Sequence, residues 1–223
     1  MLSCQCPRTT AITTIARETC AETFGQIQKI IFQRLYKTDG TKNGITDATA
    51  TQKASWTANF VETTSDVNTK MTISPYVEEP NEDGGDARTY GGGNSTVDGI
   101  ERITGSNPVN FSGRFNDKPQ SLITPMKEYM CDSMAGNLGV YLVNGNGQIQ
   151  GIKETETVGS TTTTYWRPIP IRKLFVGDLI HGGLENPDYN PISWGYVPGY
   201  SNKLSILTLA DGNALDFYTQ TQQ

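Results

Sequence analysis

Three consecutive glycines, Gly91, Gly92 and Gly93, run into Asn94, Ser95 and Thr96, an order in which backbone amides could cradle a phosphate. A phosphate loop also needs a lysine and a Ser or Thr at a helix start, so that an ammonium and the amides meet the same oxygens. No lysine follows, and the chain turns to strand-like alternation. The glycines therefore read as an inter-strand connector that lets backbones approach closely.

His181 is the only histidine, with Asp178, Glu185 and Asp188 near it in sequence. An imidazole, a hydroxyl and a carboxylate in reach would make a triad, but no Gly-x-Ser-x-Gly elbow accompanies it, and flanking Gly182 and Gly183 mark a turn histidine. Glu78, Glu79, Glu82, Asp83 and Asp86 could collect calcium, yet they lack the Asp-x-Asp-x-Asp-Gly register with a distal Glu and read as a solvated loop. Cys4 and Cys6 form a Cys-x-Cys pair, with Cys20 and Cys131 apart from it. Structural zinc needs a second pair, so the four thiols read as reduced and non-ligating. Trp56, Trp166 and Trp194, with Tyr189, Tyr196 and Tyr200, could stack on a sugar, or could anchor a core or an interface. No catalytic, metal-binding or cofactor-binding set emerges, and no cofactor is expected.

The 223 residues carry a formal net charge of -5 and no run of Lys or Arg, which removes the electrostatic footprint of nucleic acid binding. No apolar run approaches the roughly 18 residues of a membrane span. The first twenty residues lack the charged start and apolar middle of a signal peptide. The expectation is a soluble chain made and kept in the cytosol, with no membrane partner.

Residues 1–24 are polar and Thr-rich and read as an N-terminal arm that orders only against something else, ahead of a single β-rich assembly domain over 25–223. Gly25 to Tyr36 alternates β-branched and aromatic residues on both faces and predicts a long strand. Ala54 to Val61 and Thr69 to Val77 are further strands, the latter with Met71, Ile73 and Tyr76 inward and Pro75 marking an edge or end. Glu78 to Gly93 reads as a long exposed loop, and strand character resumes on both sides of Ser106-Asn107-Pro108. One helix is expected within Gln120 to Gly139. Leu122, Met126, Tyr129 and Ser133 or Met134 would share its face, Pro125 would lie in its first turn, and Gly136 would be its left-handed stop. Asn144-Gly145-Asn146-Gly147 predicts a hairpin. Tyr165 to Asp178 is extended, His181 to Asn202 a loop, and Lys203 to Leu215 holds a last strand. The sum is a mainly β fold, a largely antiparallel barrel or sandwich with one flanking α-helix, long loops and an extended N-terminal arm.

The order of "GQIQKIIFQRLY", "ASWTANF", "ISPYVEEP", "ARTYGGGNSTVDGIE", "ITPMKEYMC", "LGVYLVNGNGQIQG" and "PIPIRKLFVGDLIHGGLENPDYNPISWGY" resembles virion structural proteins of tailed bacteriophages, nearest the tail-tube family. The resemblance implies a non-enzymatic subunit assembled in the host cytoplasm into the virion, stacked in hexameric rings around a channel that passes DNA without gripping it. Its partners would be copies of itself and other virion proteins. A capsid decoration, neck or baseplate protein is the related alternative, and a carbohydrate-binding β domain the more distant one. On the tube reading, Arg88, Tyr90, Gly91, Gly92, Gly93, Trp194 and Tyr196 are the expected inter-subunit contacts.

Overall fold

The computed structural model describes residues 23–61 and 66–217. All but the last two residues of the expected N-terminal arm, with Cys4, Cys6 and Cys20, lie outside them. The chain opens with strand β1 (Ile27–Arg34), a short β2 (Ile45–Thr46) and helices α1 (Asp47–Ala50) and α2 (Lys53–Phe60). Strands β3 (Met71–Ile73), β4 (Glu78–Gly84), β5 (Ala87–Gly91), β6 (Glu101–Ser106) and β7 (Val109–Asn116) lead to helix α3 (Gln120–Met134). The remainder is β8 (Leu138–Asn144), β9 (Ile149–Val158), β10 (Thr161–Arg167), β11 (Ile169–Val176), β12 (Tyr189–Tyr196) and β13 (Leu204–Leu207). Every strand pairing is antiparallel, as the mainly β reading expects.

The β1–β8 pair is the spine, in register from Arg34 opposite Leu138 to Ile30 opposite Leu142. On the other edge of β8, Leu142 and Val143 pair with β9, while Val140 and Gly139 pair with Ile169 and Pro170 of β11. β11 then leaves this sheet and continues as the edge of a second one, β11-β12-β7-β4. Tyr141 sits at the fork, its hydroxyl donating to the Trp166 carbonyl at 3.2 Å.

Alternation on β1 and β8 feeds two apolar clusters. Ile30, Phe32, Leu138, Val140 and Leu142 join Phe111, Phe115, Ile171, Ile192, Trp194 and Tyr196 of the second sheet, closed off by Ile123 and Met126 of α3. Ile31, Tyr141 and Val143 face the other way, onto Trp56, Phe60, Met71, Trp166 and Phe217. The buried polar groups on that face are satisfied, as burial requires. Lys29 Nζ donates to the Leu215 carbonyl at 2.7 Å, and Gln33 Nε2 to the Thr69 carbonyl at 2.9 Å.

Several elements match expectation. The Asn-Gly turn joins β8 to β9, with Gly147 at φ 74° and the Asn144 side chain accepting from the amides of Asn146 and Gln148. Met71 and Ile73 point into the second cluster, and Pro75 ends β3. The α3 stop is a Schellman motif: the Gly136 amide bonds to the Ser133 carbonyl and the Asn137 amide to that of Asp132.

Others are corrected. Residues 53–60 are a helix, not a strand, because Trp56 and Phe60 share a face at a spacing of four as readily as at an even strand spacing, and both are buried there. Helix α3 begins at Gln120, so Pro125 lies in its interior, and Ile123 rather than Leu122 is buried beside Met126 and Ser133. Tyr76 is exposed. Glu78 to Gly93 is two strands with mostly exposed side chains, held by ladder hydrogen bonds and lacking the apolar alternation that marks a strand in sequence. His181 to Asn202 contains β12, paired on both edges.

At Gly139, where β8 meets the start of β11, a Cβ would lie 2.7 Å from Leu35, 2.8 Å from Pro168 and 3.1 Å from the Ile169 carbonyl. Gly139→Ala is expected to destabilise the chain by about 1–3 kcal/mol through overpacking, read as a lowered urea midpoint; an unchanged midpoint would refute the close approach.

Candidate assembly interface

Strands β5 and β6 form a two-stranded sheet of their own beyond the end of the β4–β7 pair. At the root, Gly84 (φ 104°) passes so close to Pro108 that a Cβ would lie 2.4 Å from its carbonyl oxygen, and the Asn107 amide bonds to the Asp86 carbonyl at 2.8 Å. The pairing sets Tyr90 opposite Arg102 on one face and Thr89 opposite Ile103 on the other. Among the described residues neither face is covered: Tyr90 is 63% exposed and Ile103 75%. At the tip Val97 and Ile100 are 78% and 64% exposed. A lone two-stranded ribbon is marginal in water, so this one projects apolar side chains with no core of its own.

Five of the seven expected contact residues come together on the ribbon. Arg88 and Tyr90 stand on β5, and Gly91, Gly92 and Gly93 turn it into the tip with φ of 95°, 98° and 54°. A Cβ at Gly91 would strike the Thr96 methyl at 2.1 Å, and the Gly92 amide donates to Thr96 Oγ1 at 3.1 Å. The glycines therefore build a tight tip.

The other two are corrected. Trp194 and Tyr196, each 2% exposed, lie in the core, because β12 is a central strand whose alternate residues point inward. Trp194 stacks on Phe111 with ring centroids 3.9 Å apart. Trp56 and Trp166 are buried as well, so the three tryptophans form no sugar platform. Tyr196 instead ties the ribbon's root to the core: its hydroxyl donates to Glu82 Oε1 of β4 at 2.7 Å, and its ring stacks on Tyr200 at 4.3 Å.

Tyr200 also walls a groove of about 360 Å³, lined by Leu35, Tyr36, Ile152, Pro168, Pro170 and Val197 among others. Its charged edge is a network centred on Glu154, which takes Lys42 Nζ at 2.7 Å, Lys203 Nζ at 3.0 Å and Arg167 Nε at 3.2 Å. Arg167, almost fully buried, also reaches Glu156 at 2.7 Å and the Asn43 carbonyl at 2.9 Å. Burial pushes the Glu154 carboxyl up, but hydrogen bonds and charge from Lys42 and Lys203 outweigh it and hold its pKa below the ordinary value.

The remaining candidates are dispersed. The acidic residues of β4 take separate partners, Glu78 with Asn116 and Glu79 with Arg114. His181 Nδ1 meets Asp188 Oδ2 at 2.8 Å on an exposed turn, with the Gly182 amide on the other carboxylate oxygen. Cys131 is exposed on α3. Among the described residues no group of three or more His, Cys, Asp or Glu is placed to hold a metal ion, and no helix is long and apolar enough to cross a membrane. The exposed Val97, Ile100 and Ile103 and the groove were not anticipated; the signal for the first three was an apolar residue at every third position in a Gly-rich stretch. No family model, curated protein or solved structure matches this chain.

Burial, and then the charge of Glu82, raise the Tyr196 phenol well above its ordinary value near 10. A folded pKa above the unfolded one means that this stabilisation is complete below about pH 10 and is lost as pH rises beyond it. Tyr196→Phe should therefore lose less stability than the parent between neutral pH and pH above 10 in urea titrations; parallel curves would contradict the burial of the phenol.

Glu154→Gln removes the shared anion of three cations and is expected to cost about 1–3 kcal/mol at neutral pH. The folded pKa of Glu154 is depressed, so its contribution is present above about 4.5 and lost as pH falls through the folded value. The stability gap between parent and variant should close in acid.

Proposed function

We propose that this chain is a structural, non-enzymatic subunit of a tailed-phage virion, nearest a tail-tube protein, whose work is to polymerise with its own copies. The observation that carries this reading is the β5–β6 ribbon, which displays Tyr90, Val97, Ile100 and Ile103 to solvent on a sheet with no core of its own. A surface of that kind is stabilised when a partner covers it. The sequence resemblance supplies the class of partner, and the mainly β fold with α3 against it agrees with what the resemblance implies. A net charge of -5 suits a wall past which DNA moves without being held.

Electron microscopy and sedimentation of the purified full chain across a concentration series test the proposal. Rings or stacked tubes are the expected result, and persistent monomers at the highest concentration would overturn it. Labelled copies in an intact particle should follow the tail; copies covering the head would replace the tube assignment with a decoration protein.

A further inference from the structure

The molecule carries two unlike surfaces at one end of the second sheet, a convex apolar tip and a concave apolar groove, and Tyr196 touches the root of one and the wall of the other. Resting on the reading of the chain as a homopolymer subunit, we infer that the ribbon tip of one copy seats in the Tyr36–Tyr200 groove of a second copy.

The chemistry of the two surfaces matches. The tip offers Val97 and Ile100, exposed and standing apart from the two core clusters, and the groove offers Tyr36, Pro168, Pro170 and Val197. Burial of apolar side chains on both surfaces drives the seating. Charge is complementary. From Gly91 to Glu101 the tip sequence holds Asp98 and Glu101 and no Lys or Arg. The groove is lined by Lys42, Arg167 and Lys203 against Glu154, and remains positive by one charge when Glu156, bound to Arg167, is counted. Lys203, 57% exposed at its side chain, is the cation best placed to meet an incoming carboxylate. The two surfaces are different patches of one chain, so the contact is head-to-tail and propagates from copy to copy.

The test uses full-length chains with Cys4, Cys6, Cys20 and Cys131 replaced by Ser. One population carries Ile100→Cys at the tip and the other Tyr36→Cys in the groove. Mixed, assembled and mildly oxidised, they should give a disulfide-linked dimer that neither population gives alone. Assemblies that form normally and yield no such dimer overturn the inference while leaving the polymer reading intact. A parent chain that never assembles overturns both.

Where the serine background blocks assembly, charge reversal in the native chain decides. Glu101→Lys should raise the concentration needed for assembly by about tenfold or more, because it sets like charges together. Adding Lys203→Glu should restore assembly. Glu101→Lys chains that assemble as the parent does, or a double variant that gains nothing, overturn the inference.

Discussion

The paired strands β1 and β8 are buried on both faces, and that double demand organises everything around them. A strand with one wet face needs a single covering layer; here Ile30 and Phe32 look one way and Ile31 the other, all almost fully buried. Two layers must therefore be recruited, the second sheet with α3 on one side and α1, α2 and the segment around Phe217 on the other. The register is correspondingly strict. A one-residue slip of β1 would drive Lys29 and Gln33 into the first cluster, away from the carbonyls that satisfy them. Burying each large apolar side chain is worth about 1.5–3 kcal/mol, so such a slip is heavily disfavoured.

Because β11 belongs to both sheets, the second sheet is fixed relative to the spine by covalent continuity as well as by packing. The ribbon inherits that fixity through β4 and β7. Its root is held by Tyr196 and Glu82, and the same tyrosine ring supports Tyr200 in the groove wall. The charged network on Glu154 braces another side of the groove by linking β9, β10 and the turn before β13. These are polar groups with partners on several elements, which limits how far the groove can deform.

What was legible in the sequence was whatever carried a strong local signal: β1 by its run of β-branched residues, the β8–β9 turn by Asn-Gly, the end of α3 by Gly136. Where two periods fitted one spacing, as for Trp56 and Phe60, the strand reading failed, since only tertiary packing distinguishes them. β4 and β5 were invisible because a strand with most side chains in water has no reason to alternate. β12 was hidden by Pro191 and the surrounding glycines. The expected contact residues divided along the same line. The three glycines could be placed at a turn from their backbone freedom, whereas Arg88 and Tyr90, expected in a loop, stand on β5, and Trp194 and Tyr196 depended on a strand not recognised, since an aromatic in a loop and one in a core strand look alike in text.

A chain whose projecting ribbon and recessed groove are distinct patches has a built-in direction. In a row of copies joined ribbon to groove, as proposed, the first and last members would face solvent with chemically unlike surfaces, a protruding apolar tip at one terminus and a cationic, proline-walled hollow at the other. Growth of such a row would proceed at two inequivalent termini with separate rates, and a stop at one could not serve as a stop at the other.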